Sequence, residues 1–482
     1  YSPKVRIGPE TTVVEGPLGP DGFVDYFAVI NERMSEGVTP ENNAAVLLLQ
    51  VFGPGALGET ADEIYYGLEL PLPPGDAPRV VDSNEFGQEG TALGVRGPVD
   101  ANLAATMSRA WTREEFPESA AWVEANAAAL ELAVRATERE RFYVPLVPSR
   151  GAPGLVNASL PVAQRCRSVA RVLATRAMLR LGEGDLAGAD ADLVACHRLA
   201  SLVGQSPFMI SDFVSIAIDG IAAQGDAALL ADPRLTSDMA RRMLDERRSL
   251  PPLPDLAETI DTDDRFQMID SIGGLVRGSP ATVGGVPAPM IGIDGSLVLR
   301  SINKSVNGVV AAMRITGYAE RTKALAEIDA DIKARVTAKT NPVTMALSAI
   351  VGSRATSSRM SADSLLGLLA PAFERAQTAE DRSVARRRLV VIGCALAVYR
   401  TEHGEYPATL ESLAPGLSDN VSLDPFGDRP FLYQRSAEGY RIYSVGENLK
   451  DDGGATAESE PKGDDLLLAV PAAVGSRTAP PP

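Results

Sequence analysis

The residues best placed to do chemistry together in this chain are oxygen donors near its C-terminal end. Asn448, Asp451, Asp452, Asp464 and Asp465 lie on a stretch that also holds Gly446, Gly453 and Gly454. Carboxylates and carbonyls gathered on a flexible loop suit a hard cation such as calcium, which takes about six to eight oxygens at ~2.3–2.6 Å. The spacing is not that of an EF-hand, and Lys450 stands among the acids. A solvated acidic turn is therefore the competing expectation.

Other chemistry-bearing residues are sparse. The two histidines, His197 and His403, sit in no HExxH pattern, and the chain has no CxxC, GxxxxGK[ST] or GxSxG. Zinc sites, nucleotide enzymes and serine hydrolases lose their usual signals. His403 falls at a helix end, where it can meet the last carbonyls. Glu258, Asp261, Asp263, Asp264 and Asp270 surround Ile260, Phe266 and Ile269. Paired carboxylates can do acid–base work, but an amphipathic helix with an acidic outer face accounts for them without chemistry. Trp111, Phe116 and Trp122 open a helical stretch, where aromatics belong to a core more often than to a sugar-binding face. Cys166, Cys196 and Cys394 are too few and too scattered for a disulfide framework. Buried thiols are expected, with a Cys166–Cys196 bridge as the alternative.

The elements that must position these residues are mostly helices. Hydrophobic residues make up 45% of the 482, charged residues 23% and aromatic residues 5%, a balance that points to a globular, mainly α protein of more than one domain. Lys+Arg 46 against Asp+Glu 63 leaves a net charge of −17, so nucleic acid is not an expected partner. The Arg386–Arg387–Arg388 run reads as a solvated helix face. Apolar stripes predict helices from near Asp25, from Thr39, through Trp122 to about Arg141, as an antiparallel pair over 161–202, and over 208–230. Thr11 to Val14 reads as an arm able to add an edge strand. Pro and Gly density predicts long loops at 71–99 and 273–298.

From Arg386 the pattern becomes specific. Leu389, Ile392, Leu396 and Tyr399 form one helical stripe that Gly404 and Pro407 end. Asp424-Pro425-Phe426-Gly427 is a turn, and Phe431 to Arg435 and Tyr440 to Val445 pair as a hairpin. The strings IGCALAVYRTEHGEYPATLESLAP, DPFGDRPFLY and GYRIYSVGENLKDDGG resemble the globular domain of the major pseudopilins of type II secretion. That resemblance spans about 370–468. It implies a helix packed on a small antiparallel sheet and, as in several family members, a calcium-binding loop after the sheet. In the family an apolar N-terminal helix leads straight into this domain, whereas here a helical body stands in that place. The layout, with DYFAVINERMSEGVTPENNAAVLLLQVFGP near the start, resembles large envelope proteins of planctomycete bacteria.

The expected architecture is mainly α: an extended arm over 1–22, a multi-helix body over 23–340, a pseudopilin-like α+β module over 341–470 and a disordered tail over 471–482. The expected role is a non-enzymatic, extracytoplasmic structural or interaction protein. Its partners would be proteins or further copies of itself, and membrane contact would come only through an anchor upstream of Tyr1. Calcium is the one cofactor the chain could hold, with a solvated acidic turn as the competing reading. The alternative is an extracytoplasmic enzyme or carbohydrate binder using the Asp261–Asp264 acids with Trp111 or Trp122.

Overall fold

A computed structural model describes residues 5–90, 99–150, 154–158, 161–277, 282–283, 286–287, 294–340, 354–413, 419–427 and 429–471. Helices dominate it, and a small antiparallel sheet lies at the C-terminal end, as composition and periodicity require. Helices α1 (Tyr26–Ser35), α2 (Ala45–Phe52), α3 (Ala61–Gly67), α4 (Ser83–Gly90), α5 (Val99–Ser108), α6 (Pro117–Ala125) and α7 (Ala127–Ala136) precede a bundle of α8 (Pro161–Glu183), α9 (Leu186–Val203), α10 (Met209–Leu230) and α11 (Ser237–Ser249). A short α12 (Leu256–Thr259) leads through a single π-helical turn, Ile260–Asp264, into α13 (Arg265–Arg277). Then come α14 (Gly295–Met313), α15 (Tyr318–Thr340) and the 50-residue α16 (Arg354–His403).

Several local expectations change. Among the described residues, 5–22 of the arm add no strand to a sheet. The Tyr26 hydroxyl instead donates to the Thr12 carbonyl at 2.8 Å, and the Asn303 amide on α14 reaches the Glu10 and Thr11 carbonyls at 3.1 and 2.9 Å. The helix expected from Thr39 begins at Ala45, because Thr39 and Asn42 satisfy each other across a turn (2.8 and 3.3 Å) while buried Asn43 bonds to Tyr143 and Ala45. The 71–99 stretch is not all loop. The Val80 N–H donates to the Val51 carbonyl, the Val81 carbonyl accepts from Trp122 Nε1, and α4 follows at once. Helical structure likewise enters 273–298 from both ends, with α13 reaching Arg277 and α14 starting at Gly295 under an Asp294 cap; β1 (Thr282–Val283) and β2 (Val286–Pro287) pair between them. The expected boundary at Asn341-Pro342 and residues 472–482 of the expected tail lie outside the described residues.

The bundle packs closely because small residues line its crossings: Ala170, Ala174, Ala177, Ala189 and Ala200 are fully buried. One crossing involves main chain. The Trp111 N–H donates to the Met178 carbonyl at 3.3 Å, and the Trp111 backbone lies directly over Gly182.

α10 is apolar enough over its length to cross a membrane by composition, yet it occupies the centre of the bundle and buries Asp212, Asp219 and Asp226. His197 on α9 lies between two of them, with Nδ1 2.8 Å from Asp219 Oδ1 and Nε2 2.8 Å from Asp226 Oδ2. Arg247 on α11 reaches Asp226 and Asp190, each at 2.5 Å, and Arg387 on α16 reaches Asp219 at 2.8 Å. Burial alone would push the His197 imidazole down, but Asp219 and Asp226 outweigh it and hold the ring above the ordinary histidine range. The Arg386–Arg388 run is therefore not a solvated face: Arg387 joins this network, and Arg388 Nη1 donates to the Leu423 carbonyl at 2.7 Å.

The C-terminal strands are β3 (Leu423–Asp424) with β4 (Arg429–Pro430), then β5 (Leu432–Arg435), β6 (Tyr440–Ser444) and β7 (Leu466–Val470) in the order β5-β6-β7. The expected hairpin is present, with Leu432 opposite Tyr443 and Arg435 opposite Tyr440. A third strand, β7, adds to it beyond the acidic loop. Gly393 on α16 lets this sheet and the bundle meet: a β-carbon there would touch Leu230 of α10, the Tyr440 hydroxyl and Leu468. One continuous hydrophobic core accordingly contains Met178, Leu193 and Leu229 together with Ile392, Ile442 and Leu468.

Two substitutions test this packing. Gly-to-Ala inside a helix normally stabilises by up to about 1 kcal/mol, but Gly182→Ala would drive a methyl into the Trp111 backbone. A net loss of about 1–3 kcal/mol in denaturant unfolding is expected. Arg247→Met removes the ion pair from buried Asp190 and leaves buried Asp226 with His197 alone, and should cost about 3–5 kcal/mol, as breaking a buried ion pair does.

Candidate metal site

The acidic loop leaves the sheet at the end of β6 and returns at the start of β7, so strand pairing fixes both of its ends. Asp424 holds its base. This carboxylate, 3% exposed, accepts from the Phe426 N–H (3.0 Å), the Ser444 hydroxyl (2.8 Å) and the Val445 N–H (3.0 Å). From the sequence Asp424 was legible only as a turn residue. Its longer reach depends on a strand register that local pattern does not reveal.

Within the loop, one oxygen each from Asp452, Asp464 and Asp465 lies within 4.8 Å of the other two. Asp465 is 1% exposed. Its Oδ2 accepts from the Gly454 N–H at 2.7 Å, while its buried Oδ1 has no hydrogen-bond partner. Asp464 is alike: Oδ2 accepts from the Asn448 N–H at 2.9 Å, and Oδ1 is buried and unpartnered. Burial, reinforced by the charges of Asp452, Asp451 and Asp464, pushes the Asp465 carboxyl up to about 6. Asp452 moves the other way, held low chiefly by the Asn448 side chain.

The five expected residues thus divide. Asp452, Asp464 and Asp465 converge. Asn448 braces them: its amide Nδ2 donates to Asp452 Oδ2 at 2.9 Å, and its Oδ1 is taken by the Lys450 N–H at 2.6 Å. Asp451 is turned to other work, with Oδ1 accepting from the Tyr443 hydroxyl (3.0 Å) and the Gly453 N–H (2.9 Å). Three like charges gathered with two idle, buried oxygens repel one another, and a divalent cation relieves both the repulsion and the unmet hydrogen-bonding capacity. Of the expected donors, Asp452, Asp464 and Asp465 are therefore the carboxylates that would hold a hard divalent cation.

The loop is also tied to the helices. Glu447 Oε1 lies 2.8 Å from Arg382 Nε on α16, and the Glu447 carbonyl accepts from the Tyr318 hydroxyl of α15 at 3.4 Å.

The other sequence candidates serve structure. Trp111 and Trp122 are each 1% exposed, and their indole N–H groups donate to the Thr106 and Val81 carbonyls. The acids of 258–270 do not form one solvated face: Asp263 is buried against Arg33, Asp261 pairs with Arg265, Glu258 with Arg314, and Asp270 accepts from the Leu155 N–H. His403 bonds the Tyr399 carbonyl at 2.9 Å and stacks on its ring. Cys166, Cys196 and Cys394 are free and buried.

In comparisons with known proteins, no family model matches this chain, and no curated protein or solved structure matches it either.

Proposed function

We propose that this chain is a non-enzymatic structural or interaction protein of the cell envelope, and that calcium locks the loop of its C-terminal α+β module. The observation that carries this reading is the convergence of Asp452, Asp464 and Asp465 around two buried, unpartnered carboxylate oxygens. Three further points support it. The module resembles, in its motif order, the globular domain of type II secretion pseudopilins, which work by association. The residues named for a carbohydrate-binding face, Trp111 and Trp122, are committed to the core. A loop with three carboxylates suits the weak calcium affinity, roughly 10⁻⁴–10⁻³ M, of extracellular modules, which accords with an extracytoplasmic location. Proteins or further copies of the chain are the partners this reading implies.

Calcium at about a hundred times its dissociation constant should stabilise the chain by about 2.7 kcal/mol, a rise in Tm of a few degrees. Asp465→Asn and Asp452→Asn should abolish that rise, whereas Asp451→Ala, which loosens Tyr443, should keep it. The effect should fade as pH falls through about 6, because a protonated Asp465 cannot act as a ligand. Identical melting curves in calcium and in chelator would remove the metal from the reading. Light scattering with and without calcium tests assembly directly, and a monomer under both conditions would exclude self-association.

A further inference from the structure

Asp212, at the start of α10, is fully buried, and neither of its carboxylate oxygens has a hydrogen-bond partner. The Thr259 hydroxyl beside it is a neutral donor that lowers the Asp212 carboxyl less than burial raises it, and its own well-placed acceptor is the Asp255 carbonyl at 3.3 Å. The charges around it are acidic: Asp264 and Asp263 from the π-helical turn and Glu380 from α16. Asp264 and Glu380 are half-buried, whereas Asp212 is fully buried.

The cations nearby are already committed. On α1, Arg33 pairs with Asp263. On α13, Arg265 pairs with Asp261 and also reaches Asn307 of α14. At the C-cap of α14, Arg314 is bound to Glu258 and Asp261. On α15, Arg321 grips Asp381, the neighbour of Glu380, at 2.7 Å. On α16, Arg387 is held by Asp219. Among the described residues, Asp264 and Glu380 receive uncharged donors, the Met209 N–H at 3.1 Å for Asp264 and the Leu256 N–H at 3.4 Å with the Gln377 amide at 3.0 Å for Glu380. Asp255 adds a further negative charge beside Glu380.

We propose that Asp212, Asp264 and Glu380 form a proton-operated latch joining the start of α10, the α12–π-turn segment and α16, closed while the carboxyls hold protons and loosened when they ionise. A buried carboxyl with no cation stays neutral by keeping its proton, since ionising it without a partner costs far more than the proton does. Burial pushes Asp264 and Glu380 each up to about 7 and Asp212 well above the usual carboxylate range. All three are raised in the folded chain. Their stabilisation is therefore complete below the unfolded carboxylate range near 4 and is lost as pH rises, through about 7 for Asp264 and Glu380. The single π turn, a helical irregularity, lies at this junction and gives the segment a place to open.

Hydrogen exchange of the full chain between pH 6 and 8 tests the latch, after correction for the intrinsic pH dependence of exchange. Protection of amides in 209–216 and 256–264 should fall by roughly tenfold per pH unit for each proton released on opening, while the α8–α9 pair keeps its protection. Asp212→Asn, which copies the shape of the neutral acid, should flatten this dependence and raise local protection at pH 8. Glu380→Gln should do so in part, and it provides a second variant if Asp212→Asn does not fold. Protection independent of pH in the native chain, or an equal dependence in both variants, would overturn the proposal. So would protection restored at pH 8 by added calcium, magnesium or manganese in a manner that requires Asp212, because the cluster would then be a metal site.

Discussion

A carboxylate taken out of water must find a cation or keep its proton, and the centre of this fold is arranged around that constraint. α10 buries Asp212, Asp219 and Asp226, spaced seven residues apart along one face of the helix. Two of them are neutralised by groups from three other helices: His197 from α9, Arg247 from α11 and Arg387 from α16. Apolar packing between these helices is non-directional, whereas the ionic contacts accept one register. The same helix is thus both the apolar axis of the bundle and the template that sets how its neighbours line up. At the third aspartate the cations run out, and the local chemistry changes from ion pairing to proton holding.

Much of the architecture was legible in the sequence because helices announce themselves by period. The antiparallel pair expected over 161–202 and the stripe through Leu389 to Leu396 became buried faces. Legibility failed where a rule of thumb about polarity met a tertiary partner. Arg386 to Arg388 and Asp263 read as surface because charged residues usually are, yet Arg387 and Asp263 each find an opposite charge from a segment more than a hundred residues away in sequence. The Pro- and Gly-rich stretches read as loops, yet Val80 and Val81 are held by α2 and by Trp122, and α4 begins beside them.

The loop chemistry divides along the same line. Oxygen-rich composition identified the region, and Asp452, Asp464 and Asp465 do meet. The exclusion of Asp451 follows from Tyr443, whose hydroxyl captures it, and that follows from the register of β6, which no spacing rule supplies. The strand β7 was likewise missed, because an acidic, Gly-rich stretch separates it from the hairpin it completes. Once β7 is in place, Asp464 and Asp465 must approach Asp452, since the loop is pinned at both ends.

α16 has a mechanical consequence. Its later turns face the bundle through Arg387 and Leu389 and the sheet through Gly393, so over these turns one unbroken rod of hydrogen-bonded backbone serves both. A pull applied to the sheet is borne along the rod's axis and spread in shear over the interfaces with α10 and α11, with no slack segment between His403 and Arg387 to stretch first. A joint of that kind resists bending between the sheet and the bundle.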